Sequence, residues 1–198
     1  MFVLGVTGGI GSGKSTVCKV FSVFGIPIFY SDAVAREIMN TDDELKEKLN
    51  QITGTNMYPN GELDRPRMAG LIFKNDEILQ RVNQLVHPRV FDSFRKWSLS
   101  QHSKYVILEA AILFEGGADI LTDKIGAVIA PFEERIMRVM NRNNLTREQV
   151  IERINSQISE NELVRRSDFI INNAENTMII PKILEIHNEI VNLINEEE

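Results

Sequence analysis

The chain of 198 residues is poor in several features that would define a class of protein. Its single cysteine, Cys18, cannot form a disulfide within the chain, which favours a reducing compartment such as the cytoplasm. No apolar run approaches the ~20 residues of a membrane span, and the first residues lack the basic segment of a signal peptide. The net charge of -6 argues against sequence-independent binding of nucleic acids, because such binding needs a basic face. The composition, 43% hydrophobic and 25% charged, predicts an ordinary soluble globular protein on which any positive surface is local.

Short apolar stretches alternate with helical patterns, which predicts an α/β fold with parallel crossovers. Strands are expected within 2–6, 25–30, 105–109, 125–130 and 168–173. A long, mostly helical stretch, 32–103, is interpreted as an inserted subdomain, and a helical hairpin is expected over 132–167. The core is then made of 1–31, 104–131 and 168–198, with a five-stranded parallel sheet flanked by helices.

Local signals predict several helix ends and turns. Thr41–Glu44 and Thr146–Gln149 fit capping boxes, and Pro59–Gly61 fits a turn. An amphipathic helical segment is expected from Asp76 to Trp97, although His87-Pro88-Arg89 within it, taken alone, would break a helix. The last helix is expected from about Thr177, and its expected buried face comprises Ile183, Leu184, Ile190, Val191 and Ile194.

A glycine-rich loop follows the first strand. Residues 8–15, GGIGSGKS, match the phosphate-loop pattern G-x-x-x-x-G-K-S/T in full. Glycines let backbone N–H groups turn towards an anion, Lys14 would bridge the outer phosphates, and the Ser15 hydroxyl would join the coordination of Mg²⁺. The alternative is a glycine-rich turn without a ligand. The residues expected to bind the nucleotide are Gly9, Gly11, Ser12, Gly13, Lys14, Ser15 and Thr16.

The rest of the chain narrows the class of phosphate-loop protein. The sequence contains no N-K-x-D motif, with which most GTPases read the base. The strand at 105–109 ends in one carboxylate, Glu109, rather than in the paired acids of larger ATPases. A small-molecule kinase is therefore favoured. Glu109 is a candidate to hold Mg²⁺, directly or through a water; the alternative is a strand-end carboxylate that meets solvent.

A candidate for the proton acceptor follows the second strand. Asp32 lies in the same crossover unit as the loop, and ligands of such sheets bind where the carboxyl ends of the strands meet. A carboxylate there can accept the proton of an attacking hydroxyl. The alternative is an Asp that stabilises the first turn of a helix. Spacing alone leaves the two interpretations evenly matched.

The hairpin region is rich in arginine. Seven of the thirteen arginines lie in 132–168, which has no lysine. Arg135, Arg138 and Arg142 are spaced i, i+3 and i+7 and therefore share a helix face. One interpretation is a mobile lid that closes over the γ-phosphate; the other is a solvated surface of salt bridges, because seven acidic residues share the region.

Several segments together resemble one family, the dephospho-coenzyme A kinases. They are GVTGGIGSGKSTV, GIPIFYSDAVAREI, NGELDR, VHPRV, ILFEGG, an arginine-rich lid ending near Gln157, and SDFIINN. They follow in the family's order and cover nearly the whole chain. The resemblance implies transfer of the γ-phosphate of ATP, with Mg²⁺, to the ribose 3′-hydroxyl of dephospho-coenzyme A, which gives coenzyme A.

The resemblance also implies roles for individual residues. Asp32 corresponds to the proposed base, and Lys14 serves the transfer from the loop. Arg65, His87, Leu113, Phe114 and Glu115 correspond to the acceptor side, while Arg142 and Asn173 correspond to the nucleotide side. The chain departs from the family where Tyr30-Ser31-Asp32 replaces the more usual Asp-x-Asp, and where Ala111-Ile112 replaces Pro and the first Leu of the usual Pro-Leu-Leu.

Two rival functions remain open at this stage. One is another kinase of the same core, acting on a nucleoside monophosphate or another small metabolite. The other is a regulator that binds nucleotide without turnover. For the function that the resemblance implies, the expected partner is a small molecule, dephospho-coenzyme A, with no nucleic acid and no membrane. The protein is expected to be a monomer or a small homo-oligomer.

Overall fold

The computed structural model describes residues 1–72 and 75–197. The strands within this part of the chain are β1 (Phe2–Thr7), β2 (Ile28–Tyr30), β3 (Tyr105–Glu109), β4 (Lys124–Ile129) and β5 (Phe169–Asn172). The helices are α1 (Lys14–Val23), α2 (Ser31–Thr41), α3 (Asp43–Thr53), α4 (Arg65–Ile72), α5 (Asp76–Leu99), α6 (Phe132–Asn143), α7 (Arg147–Asn155), α8 (Glu160–Arg165) and α9 (Ile179–Glu197), with a 3-10 turn at Ala118–Leu121. No helix in these ranges is long and apolar enough to cross a membrane.

The strands form one sheet in the order β2-β3-β1-β4-β5, and every neighbouring pair is parallel. The predicted five-stranded parallel sheet is thus confirmed. β1 is central: Phe2 is opposite Tyr105 on one side, and Leu4 is opposite Lys124 on the other. Parallel strands covered on both faces consist of continuous apolar runs, and β1 and β3 are almost entirely buried.

The chain divides into two compact units. The first comprises Met1–Tyr30 and Ser98–Glu198 and contains the whole sheet; the second is the helical stretch Ser31–Trp97. The helical stretch expected from the sequence, 32–103, starts one residue later than the second unit and ends within the first. Its role in binding an acceptor stays a prediction.

Helices α1 and α9 cover one side of the core of the first unit. The buried side chains of α1 are Val17, Cys18 and Phe21, and those of α9 are Ile183, Ile186 and Ile190. The predicted face of α9 was partly wrong, because Leu184 is 40% exposed and Ile186 is fully buried. Spacing of i, i+3 and i+7 fixes a helical stripe, but which of two adjacent stripes turns inward depends on the packed sheet.

Within the second unit, the cap of α3 lies one residue later than predicted. Asp42, not Thr41, caps the helix by accepting the Leu45 N–H at 2.9 Å. The Thr41 hydroxyl instead donates to the Glu37 carbonyl in the last turn of α2. Asp42 also pairs with Arg89 of α5 at 2.8 Å. The Leu45 N–H and then Arg89 hold the pKa of Asp42 below its ordinary value.

The amphipathic segment expected from Asp76 to Trp97 is confirmed as α5. The break expected from His87-Pro88-Arg89 taken alone was wrong, since Pro88 lies inside this helix. Proline removes one helical hydrogen bond and costs about 3 kcal/mol. The helix nevertheless continues, because its apolar stripe is buried on both sides of the proline. That stripe consists of Val82, Val86, Val90 and Phe94, and each such side chain contributes about 1.5–3 kcal/mol on burial. Tertiary packing therefore outweighs the local penalty.

Substitution of two isoleucines of α9, one buried and one exposed, tests how much this core contributes to the free energy of unfolding. Ile183→Ala removes a fully buried side chain and should lower the free energy of unfolding by about 2–5 kcal/mol. The matched control is Ile180→Ala in the same helix, at a position that is 55% exposed, and should change it by less than about 0.5 kcal/mol. Urea unfolding monitored by circular dichroism measures both. Equal losses would contradict the assigned buried face.

Candidate active site

The glycine-rich loop lies between the end of β1 and the start of α1. Gly13 occupies the position before α1 with φ +93°, and Gly11 has φ +81°, both in the left-handed region that favours glycine. The amino end of α1 presents partial positive charge and N–H donors, which favours an anion. The Lys14 ammonium donates to the Gly8 carbonyl at 2.8 Å and thus lies across the loop. The loop has the form expected of a phosphate cradle.

Asn173 holds the second half of the loop. Its side-chain amide donates to the Ser12 carbonyl at 2.8 Å, although 161 residues separate the two. A Cβ at Gly13 would meet this amide nitrogen. Arg138 donates to the Asn173 carbonyl at 3.0 Å and pairs with Glu134 at 2.8 Å. The structure thus shows Asn173 supporting the loop, and its role near the adenine stays a prediction.

Ile10, in the first half of the loop, is held at both of its peptide groups. Its N–H donates to Gln157 Oε1 at 2.7 Å, and its carbonyl accepts from Arg135 Nε at 3.1 Å. Arg135 is only 7% exposed, and Glu160 lies 3.6 Å from its guanidinium. Burial lowers the pKa of Arg135, while Glu160 acts in the opposite direction. Gly11 lies so close that a Cβ there would meet the backbone of Arg135 at 2.5 Å.

The three arginines of α6 have different surroundings. Arg135 is buried against the loop and Arg138 is half-buried beside Asn173. Arg142 is exposed, with its Nε donating to Asn143 Oδ1 at 2.9 Å. Two of them therefore bind the protein itself rather than form one open arginine face. Exposed ion pairs occur elsewhere in the hairpin, as the solvated interpretation expected. The lid role stays a prediction.

The predicted helices of the hairpin are present as α6 and α7, and the capping box of Thr146 and Gln149 is confirmed. The third helix, α8, was not predicted. Its cap is Ser159, which accepts the Glu162 N–H at 3.2 Å.

Glu109 ends β3 at the carboxyl edge of the sheet, opposite Val6 and Tyr30. It is 8% exposed, so the alternative of a carboxylate that meets solvent is wrong. Burial and then the charge of Glu109 raise the pKa of Cys18 to about 12, while Lys14 acts in the opposite direction. The Cys18 thiol is thus a buried group that stays protonated at neutral pH.

The donor set fits a metal ion that arrives with a nucleotide. The ranges 1–72 and 75–197 contain no group of three or more His, Cys, Asp or Glu side chains that could hold a metal ion by themselves. The Ser15 hydroxyl and the Glu109 carboxylate are oxygen donors near the loop. Mg²⁺ is typically held by one or two carboxylates together with substrate phosphates, which matches such a sparse set.

The segment after β3 is tied to the core and to the hairpin. Leu113 is fully buried, with its methyl groups 3.4 Å from the position of a Cβ at Gly5. The ring of Phe114 lies 4.0 Å below the guanidinium of Arg166. Glu115 is exposed and accepts the Ile158 N–H at 3.0 Å. Leu113 packs in the core, and a contact of Leu113, Phe114 or Glu115 with an acceptor stays a prediction.

Three predicted residues belong to the helical unit Ser31–Trp97. Asp32 is exposed in the first turn of α2, and Arg65 is exposed at the start of α4. The half-buried His87 stacks on Phe91 with their ring centroids 6.0 Å apart. The assigned roles of these residues stay predictions.

A cavity of about 590 Å³ lies beside the side chains that hold Ile10. Its walls include Pro131, Phe132, Arg135, Gln157 and Glu160. Cavities of this size suit part of a small-molecule ligand. Gln157 and Glu160 had no predicted role, since their partners are far away in the chain and no local motif marks them.

A sequence model of the dephospho-CoA kinase (CoaE) family matches residues 2–178. The chain belongs to this family. It is 37% identical over 184 residues to the dephospho-CoA kinase of Bacteroides fragilis strain YCH46, which covers 92% of this chain and 90% of that one. The resemblance predicted from the ordered segments is confirmed.

Solved structures agree with this membership. The chain superimposes on TT1252 from Thermus thermophilus with a TM-score of 0.82 and 31% identity, covering 96% of both chains. It superimposes on the dephospho-CoA kinase from Campylobacter jejuni with a TM-score of 0.67 and 25% identity, covering 95% of this chain and 96% of that one. The predicted phosphate-loop kinase fold is thereby confirmed for this dephospho-CoA kinase family member.

Gly13→Ala tests the packing of the loop, and Gly25→Ala, which lies outside the loop, is the control. Gly25→Ala places a side chain at φ +78° with nothing within 4 Å, so it should cost about 1–2 kcal/mol of backbone strain. Gly13→Ala has a similar φ but also pushes the Asn173 amide away from Ser12, which adds about 1 kcal/mol for the lost hydrogen bond. Denaturant unfolding compares the two variants. A loss for Gly13→Ala no greater than that for Gly25→Ala would contradict the contact.

Proposed function

We propose that this protein transfers the γ-phosphate of ATP to the ribose 3′-hydroxyl of dephospho-coenzyme A and so produces coenzyme A. The observation that carries the proposal is the family match over residues 2–178, with the complete phosphate loop at the carboxyl end of the central strand. The family consists of kinases, which use ATP as substrate. The rival functions, a kinase for another acceptor or a regulator without turnover, have no comparable support.

On the donor side, the loop would bind the phosphates of ATP. Phosphoryl transfer depends chiefly on positioning and on neutralising charge. The backbone N–H groups of residues 9–16 and the amino end of α1 supply that charge, together with Lys14, which would exchange the Gly8 carbonyl for phosphate oxygens. Ser15 and Glu109 are the candidate protein ligands for Mg²⁺, which would offset the charge of the phosphates. Arg142 and Asn173 complete the proposed nucleotide side.

On the acceptor side, Asp32 would accept the proton. The 3′-hydroxyl oxygen forms a bond to the γ-phosphorus of ATP. The bond between that phosphorus and the oxygen that bridges the β- and γ-phosphates breaks, so that ADP leaves, and the hydroxyl proton passes to the carboxylate of Asp32. Two observations support Asp32 as the proton acceptor. Its side chain is exposed, and it closely follows β2. The last residue of β2, Tyr30, is opposite Glu109 at the carboxyl edge of the sheet. Because Tyr30 replaces the first acid of the usual family pair, Asp32 is the remaining carboxylate of that motif.

The helical unit would provide room for a bulky acceptor. By their correspondence to the family's motifs, the proposed acceptor contacts are Arg65, His87, Leu113, Phe114 and Glu115. Arg135 and Arg138 belong to the proposed lid over 132–167, in which they would set the position of the loop. We place the enzyme in the cytoplasm, as a monomer or small homo-oligomer.

A direct assay tests the acceptor. With ATP, Mg²⁺ and dephospho-coenzyme A, coupled detection of ADP should show turnover, and phosphorus NMR should place the new phosphate on the 3′-oxygen. Lys14→Ala should reduce both nucleotide affinity and rate, because the phosphates lose a cation. Phosphorylation of a nucleoside monophosphate, with none of dephospho-coenzyme A, would overturn the proposal. Binding of ATP without turnover on any acceptor would favour the regulator.

Asp32→Asn tests the proton acceptor. An amide cannot take up the proton, so turnover should fall by ~10² or more, while ATP affinity stays within about twofold because Asp32 is assigned no contact with ATP. Steady-state kinetics and calorimetry with ADP measure the two effects.

The matched control is Asp43→Asn, which also removes a carboxylate from the first turn of a helix and is 90% exposed. Each substitution weakens a helix by about 0.3–1 kcal/mol, and only Asp32→Asn should lose turnover. Equal turnover in the two variants would leave Asp32 with a structural role only.

A further inference from the structure

Residues outside the phosphate loop hold both of the peptide groups that flank Ile10. Gln157 accepts its N–H at 2.7 Å, across 147 residues of chain, and Arg135 donates to its carbonyl at 3.1 Å, across 125 residues. Both partners belong to the segment after β4. The hairpin therefore fixes both peptide groups that flank Ile10, in addition to the bond within the loop in which the Ser12 N–H donates to the Gly9 carbonyl at 3.1 Å.

Gln157 is itself placed by two neighbouring contacts. Its amide nitrogen lies 3.5 Å from the Ala111 carbonyl, just beyond the end of β3. The next residue, Ile158, donates its N–H to Glu115 Oε1 at 3.0 Å. Since Glu115 and Ala111 belong to the same segment, the turn that follows α7 is attached to it at two points. Gln157 is thus held at a fixed distance from Ile10.

The loop needs such support because of its composition. Gly8, Gly9, Gly11 and Gly13 surround Ile10 and Ser12, and glycine loses more conformational freedom on ordering than any other residue. Backbone N–H groups bind phosphate only when they point into the cradle. A loop that is ordered before the nucleotide arrives binds it more tightly than one that must be ordered during binding.

We propose that Gln157 is a positioning residue that holds the Ile10 peptide and thereby keeps the phosphate loop in its nucleotide-binding shape. The inference rests on the proposed function in taking ATP as the ligand of the loop. Gln157 acts through the backbone of Ile10 and has no assigned contact with the reacting atoms.

Two substitutions remove the contact in different ways. Gln157→Met keeps the length of the side chain but removes the acceptor, and Gln157→Asn keeps the amide but is one methylene too short to reach. Exchange of the Ile10 amide proton, followed by NMR in the nucleotide-free protein, should become about tenfold faster or more in both, as expected for the loss of one hydrogen bond. ADP affinity and KM for ATP should weaken about tenfold, with kcat changed much less, because a uniform binding contribution is lost.

Two controls separate positioning from general stability. Gln149→Met removes a similar bond, in which Gln149 Oε1 accepts the Thr146 N–H at 3.0 Å, but this bond caps α7 instead of holding the loop. It should lower the thermal midpoint without changing Ile10 exchange or KM for ATP. Gln157→Glu retains an oxygen acceptor of the same length and should restore slow exchange at Ile10.

Two outcomes would overturn the inference. One is slow exchange at Ile10 in both Gln157→Met and Gln157→Asn; the other is unchanged ADP affinity despite fast exchange. Calorimetry with ADP needs no acceptor, so the outcome is independent of dephospho-coenzyme A. Loss of ADP affinity in a protein that phosphorylates another acceptor would refute the proposed function while leaving the inference intact.

Discussion

The pairing of β1 on both of its edges is the constraint on which the rest of the structure depends. Hydrogen bonds to β3 on one side and β4 on the other fix the strand along its length. The loop that follows therefore starts from one position and in one direction. At that point the backbone is so close to β4 that a Cβ at Gly8 would meet the Val128 carbonyl. The same pairing places Glu109 opposite Val6, beside the start of the loop.

After Gly8, the loop is held by side chains from much later in the sequence. Asn173 holds the Ser12 carbonyl, Arg135 and Gln157 hold the two peptide groups of Ile10, and Arg138 in turn holds Asn173. All of them follow β4. A glycine-rich loop has little intrinsic preference for one shape, so its geometry depends on the folding of the hairpin and of β5.

The charges around the loop explain how an acidic protein can bind polyphosphate. The net charge is -6, yet Lys14, the amino end of α1 and the arginines of α6 are concentrated at one end of the sheet. Arg135 stays buried because Glu160 offsets part of the desolvation that lowers its pKa. Glu109 adds a buried negative group on the other side of β1. Local placement of charge, rather than its total, suits the site to phosphate.

The sequence by itself determined the phosphate loop, the parallel sheet and the hairpin with its cap at Thr146, because these follow from residue types at short, fixed spacings. The family followed from a resemblance of ordered segments that extend over nearly the whole chain. The interatomic contacts of the site were different: Gln157 with Ile10 and Asn173 with Ser12 join residues more than a hundred positions apart, and no local pattern encodes such a pair. Pro88 within α5 and the exposure of Leu184 were decided in the same way. Burial of an apolar stripe against a neighbouring element outweighs the local preference of a few residues, and only the tertiary structure shows which stripe is buried.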